Sequence, residues 1–103
     1  AMLICLTGQT FSGREAFEMG LASKAVPDAE VLGVALETAR NIAKMPPLAI
    51  QQIKEVLLAG QDASLETALM LERKAFQMLF DSADQKEGMR AFLEKRKPTY
   101  RGK

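Results

Sequence analysis

Apolar side chains at Leu65, Ala68, Leu69, Ala75, Phe76, Leu79 and Phe80 share the spacing of one helix face, and Ser64 stands where a cap is needed. This pattern predicts a helix from Ser64 that stops near Ser82. Asp84, with Glu87 three residues on, reads as the cap of a second helix whose stripe is Met89, Phe92 and Leu93. Pro98 should end it, because proline lacks the N–H and clashes with the preceding turn. Lys95, Arg96 and Lys97 then fall in its last turn, where carbonyl ends favour cations.

The segments before this pair follow the same period. Asp28 reads as the cap of a helix with the stripe Val31, Leu32, Ala35, Leu36, Ala39, Ile42 and Ala43. Acids near its start (Asp28, Glu30) and bases near its end (Arg40, Lys44) suit the helix dipole. Pro46-Pro47 breaks it and suits the first turn of a new helix, with the stripe Leu48, Ile50, Ile53, Val56 and Leu57, closed by Gly60. Earlier, Ser12 and Glu15 form a capping box for a short helix that Gly20 ends, with Ala16, Phe17 and Leu21 pointing inward. Residues 22–26 read as an extended link. Residues 1–6 read as the end of a helix closed by Gly8, or else as a short strand. The chain opens on apolar residues with no cap, so this element is expected to begin further upstream in a longer protein.

Beta-branched residues never cluster as alternating runs, so the expected fold is all-α, with five to six amphipathic helices. The length of 103 residues suggests one domain, in which residues 1–27 hold the entering helix, a short helix and the link, and residues 28–103 the long helices.

A net charge of +1 does not argue for nucleic acid or for an acidic partner overall, and no nucleic-acid partner is expected. No apolar run approaches the roughly 20 residues that a membrane helix needs, and no targeting segment is visible, so the expected place is the cytoplasm. The single cysteine, Cys5, cannot form an internal disulfide and reads as a small core residue. Histidine is absent, which removes the commonest general base, and no zinc spacing or other metal site is visible. Glu72 falls on an apolar stripe between Leu69 and Phe76, where a carboxylate is expected to be ion-paired or to act as a cap. Gly88 lies inside a predicted helix, at roughly 1 kcal/mol against alanine, which close packing or the approach of a ligand would offset. Lys95, Arg96, Lys97, Arg101 and Lys103 form a basic tail, read either as a solvated helix end or as an anion site for phosphate groups.

Three segments taken together resemble the enoyl-CoA hydratase/isomerase (crotonase) family: LTGQTFSGREAFEMGLASKAVP, MPPLAIQQIKEVL and LERKAFQMLFDSADQKEGMRAFLEKRKPTYRG. They cover essentially the whole chain, in order and at the right spacing. The resemblance implies the helical C-terminal part of a subunit whose catalytic ββα spiral comes before this sequence. It implies addition of water across a 2-enoyl-CoA double bond, or isomerisation, through a thioester enolate held by backbone N–H groups. No catalytic residue of the family has a match here, Glu72 included. The resemblance does imply two CoA-contacting positions toward an adjacent subunit: Phe76 near the adenine, and Lys95 facing a phosphate. It also implies an acyl-CoA thioester as substrate of the parent enzyme, no further cofactor, and a homo-oligomer, a trimer or dimer of trimers. Ser12-Gly13 and Tyr100 depart from the usual family residues, and neither is a CoA position. The other reading is a non-catalytic helical module whose basic tail binds an acidic partner.

Overall fold

A computed structural model describes residues 2–103. In these residues there are six α-helices and no strand: α1 (Met2–Thr7), α2 (Gly13–Glu18), α3 (Val31–Ala43), α4 (Pro47–Gly60), α5 (Leu65–Leu79) and α6 (Ala83–Leu93). A 3₁₀ turn, Asp28–Glu30, precedes α3. The expectation for residue 1 lies outside the described residues. The rest divide into two compact units, with the boundary between Glu37 and Thr38, inside α3.

In the first unit, α1 is helix rather than strand, and it ends as expected. Gly8, at φ 63°, donates its N–H to the Ile4 carbonyl. Cys5 is exposed there, which corrects the core reading. The capping box of α2 is present, with Ser12 Oγ accepting from the Glu15 N–H and Glu15 accepting from the Ser12 N–H at 2.7 Å. The Ser12 N–H first, and then the Ser12 hydroxyl, which donates to the same carboxylate oxygen at 2.7 Å, hold the Glu15 carboxyl below the usual carboxylate range. Gly20, at φ 76°, donates to Phe17 O while Leu21 donates to Ala16 O, the left-handed closure the sequence predicts. Of the three side chains expected inward, Ala16 is buried, but Phe17 and Leu21 are exposed. Asp28 does not cap α3. It opens the 3₁₀ turn, after Pro27 in the cap position, and no side chain caps that turn.

In the second unit, α4 starts at Pro47 after an extended Pro46, because proline needs no N–H partner in a first turn. It packs against α5. Gly60, the last residue of α4, lets the two helices meet: a Cβ there would lie 3.2 Å from that of Ala68. Ser64 caps α5 by accepting the Thr67 N–H. Ser82 then caps α6, accepting from the Gln85 N–H while its own hydroxyl donates to Leu79 O at 2.7 Å. The expected cap, Asp84, already lies within the helix. Ser82 wins because it has extended backbone, ψ 147°, and an oxygen facing the orphan N–H groups.

The far end of α6 also differs from expectation. The helix stops at Leu93, five residues before Pro98, so Lys95, Arg96 and Lys97 lie beyond it. Lys95, at φ 52°, takes the left-handed position. Its N–H donates to Phe92 O and that of Arg96 to Ala91 O, the bonds of a Schellman closure.

The stripes are less covered than their period suggests. Ala16, Ala75 and Ala91 are the buried apolar residues among those described, whereas Leu65, Phe76, Phe80, Phe92 and Leu93 are all more than half exposed. Alanines seat the helices, and the large side chains of the same faces stay open.

Candidate functional site

The site lies where α4, α5, α6 and the chain after α6 meet. The turn from α5 to α6 is short because Ser82 serves both helices, and this brings Phe76 of α5 and Phe80 just after it beside Met89 of α6. Together with Leu48, Ala49 and Tyr100 they line an apolar groove of about 440 Å³. Phe76 and Phe80 meet edge to face, with ring centroids 5.1 Å apart and planes at 83°. Phe76 also lines a second, smaller groove of about 270 Å³ between α4 and α5, with Ile53, Val56 and Leu57. Phe76 is 62% exposed, so it is a wall rather than a filler.

Gly88 packs against Tyr100. A Cβ there would meet the Tyr100 hydroxyl at 3.4 Å, an ordinary van der Waals contact, so this packing alone does not demand glycine.

The chain after α6 is held by two carboxylates that the sequence pattern assigned to a cap. Asp84 is buried, and it accepts the backbone N–H of Arg101 at 2.7 Å and of Gly102 at 2.8 Å. Its own N–H donates to Lys103 O. Glu87 accepts both arms of the Arg96 guanidinium, at 2.6 and 2.9 Å, and the Thr99 N–H at 3.0 Å. The Arg96 contact above all, then the Thr99 bond, draws the Glu87 carboxyl down to about 2. Glu94 also binds Arg96, at 2.6 Å, and the two carboxylates hold the guanidinium above its ordinary value. Arg96 is therefore fixed, and Lys95, the residue before it, has its backbone fixed on both sides.

The Lys95 ammonium is exposed and forms no ion pair or hydrogen bond among the described residues. Phe76 lines both apolar grooves and Lys95 lines neither. Glu72 is exposed at the edge of the smaller groove, with no ion pair among the described residues. Solvent access removes the need for the partner that the sequence pattern demanded. Asp84, Glu87 and Tyr100 are the residues that sequence reasoning missed. The available signal was Ser82 with Gln85, a cap pattern as good as Asp84 with Glu87, which would have freed the two acids for other work. No group of metal-binding side chains is present among the described residues.

These helices have a known counterpart. The enoyl-CoA hydratase/isomerase family profile matches residues 1–103, so the chain belongs to that family. A probable mitochondrial enoyl-CoA hydratase of Dictyostelium discoideum is 41% identical over 103 residues, covering 100% of this chain and 37% of the relative. The 2,3-dehydroadipyl-CoA hydratase of Escherichia coli is 35% identical, covering 100% of this chain and 40% of its own length. Among solved structures, an enoyl-CoA hydratase of Geobacillus kaustophilus superposes with a TM-score of 0.87 at 42% identity, over 94% of this chain and 38% of that one. The chain thus spans about two fifths of the length of the relatives it matches.

Proposed function

We propose that this chain is the CoA-contacting and oligomer-forming C-terminal region of an enzyme that adds water to 2-enoyl-CoA thioesters, in fatty-acid or related acyl-CoA metabolism. The observation that carries the proposal is the match along the whole chain to hydratases, two of them named for CoA thioesters. In this reading the catalytic spiral and its glutamates come from the rest of the subunit, and the chain alone is inactive. Its uncovered faces are what such a role needs. Large exposed apolar patches seek partners, and Leu65, Phe92 and Leu93 are each at least three-quarters exposed. The partners are the remainder of the subunit and neighbouring copies, in a trimer or dimer of trimers.

Phe76 gives a flat apolar surface for an adenine, and Lys95 a free cation for a phosphate of CoA bound mainly by an adjacent subunit. Acyl-CoA enters as substrate, and no further cofactor is called for. No helix in the described residues is long and apolar enough to cross a membrane. The cytoplasm is the proposed compartment, although the Dictyostelium relative is named as mitochondrial, and cell fractionation decides between them.

The test is hydration of a short 2-enoyl-CoA, followed by loss of its conjugated absorbance. The full-length subunit should turn it over and sediment as a trimer or a multiple of one, whereas the 103-residue chain should give no rate above a blank. A monomeric full-length protein without hydration would overturn the proposal.

A further inference from the structure

The basic residues of the tail do not stay together. Lys95 and Lys97 remain beyond the end of α6, whereas the bonds from Asp84 to the backbone of Arg101, Gly102 and Lys103 turn the last residues back along the helix. The fold-back places Arg101 and Lys103 around one cleft with Lys86 and Arg90, two cations of α6 itself. The cleft measures about 440 Å³ and is separate from the walls that Phe76 lines.

Its two acids, Asp84 and Glu87, offset only part of the charge of its four cations. The Asp84 carboxylate is taken up by two backbone N–H groups, and that of Glu87 by Arg96 and Thr99. Of the four cations only Lys86 has an ion pair among the described residues, with Asp81 at 3.0 Å. Arg90, Arg101 and Lys103 line a common concavity and form no salt bridge among the described residues, and the charge of Glu87 acts on Arg90 only at longer range. Like charges gathered in this way repel, and an anion of high charge would relieve the repulsion. Two guanidinium groups suit the paired oxygens of a phosphate, which they bind in bidentate fashion.

We infer that the cleft between α6 and the folded-back tail is a binding site for a small anion bearing two or more phosphate charges, distinct from the acyl-CoA contacts proposed at Phe76 and Lys95. It does not rest on the hydratase reading, since its residues and geometry belong to this chain alone. The tail is held by backbone bonds to Asp84, so the Arg90 and Arg101 side chains can be neutralised without releasing it.

The test uses full-length protein and inorganic pyrophosphate, followed by calorimetric titration and by the unfolding midpoint. Pyrophosphate at millimolar concentration should bind, raise the midpoint by a few degrees, and lose affinity as salt rises. Arg90→Gln with Arg101→Gln should unfold at the same temperature as the parent without ligand, yet lower the pyrophosphate affinity at least several-fold. Lys103→Gln gives the same reading in a second variant that leaves α6 untouched. Lys95→Ala should leave pyrophosphate binding unchanged, and pyrophosphate should not compete with acyl-CoA. The inference is overturned by absence of binding, by binding that survives the double substitution, or by competition with acyl-CoA.

Discussion

Two helices of this chain end in the same backbone motif with different residues at its tight point. After α2 the left-handed position is Gly20, at φ 76°; after α6 it is Lys95, at φ 52°. Both closures carry the same two N–H to carbonyl bonds. A Cβ in this conformation costs roughly 1 kcal/mol, and Lys95 is the one residue other than glycine to take it among those described. The ends also differ in what holds them. The turn after α2 is held locally, while the turn after α6 is followed at once by Arg96, locked onto Glu87, and then by the tail pinned to Asp84. Tertiary anchors can sustain a strained residue where local bonds alone call for glycine. A lysine at such a place points to a use for its side chain, an inference that runs from the observed outlier to function.

The largest effect on this contrast should come from Asp84→Ala. It removes a buried carboxylate and leaves two backbone N–H groups without their acceptor. Hydrogen bonds to a charged group are worth about 1.5–3 kcal/mol each, so the loss should be at least about 3 kcal/mol in chemical denaturation, with the amides of Arg101 and Gly102 exchanging freely. Asp84→Asn should recover part of the loss, because one amide oxygen still accepts.

Gly20→Ala should destabilise by roughly 1 kcal/mol, the strain of a Cβ in the left-handed region. Lys95→Gly should do the reverse and stabilise by somewhat less, because glycine also loses more entropy on folding. Opposite signs in paired denaturation curves support the contrast, and a destabilised Lys95→Gly would refute it.

The smallest effect is on pH. Glu87 has a folded value of about 2, below its ordinary 4.5. A lowered carboxylate pKa gives stability that is fully present above the ordinary value and is lost as the pH falls through the folded one. The Thr99 amide should therefore stay protected at pH 5 and lose protection progressively between pH 4.5 and 2, as followed by amide exchange. Glu87→Gln should abolish that dependence.

The helices were legible because their caps are local. Ser12, Ser64, Pro47 and Gly20 each act on neighbours a few residues away, and each does what its sequence position implies. What was not legible depends on distant chain. Asp84 meets Arg101 across 17 positions and Glu87 meets Thr99 across 12, so nothing in a short window distinguishes them from a capping pair. Periodicity told which residues share a face but not whether this chain covers it, and the rings of Phe76 and Phe80 remain open. The two candidate site residues were legible only through the family resemblance. The structure adds that one lines grooves and the other stands on a strained turn.

We propose that Lys95 stands on that turn to meet the phosphate of an acyl-CoA. The measurement that tests it most directly compares Lys95→Gly with the parent full-length enzyme on an intact 2-enoyl-CoA and on the same acyl group carried by pantetheine, which lacks the nucleotide. The account predicts a several-fold higher KM for the CoA substrate with kcat nearly unchanged, the pattern of lost uniform binding. It predicts that this difference shrinks as salt rises, and that pantetheine thioesters show none. Equal losses on both substrates, or none on either, would contradict it.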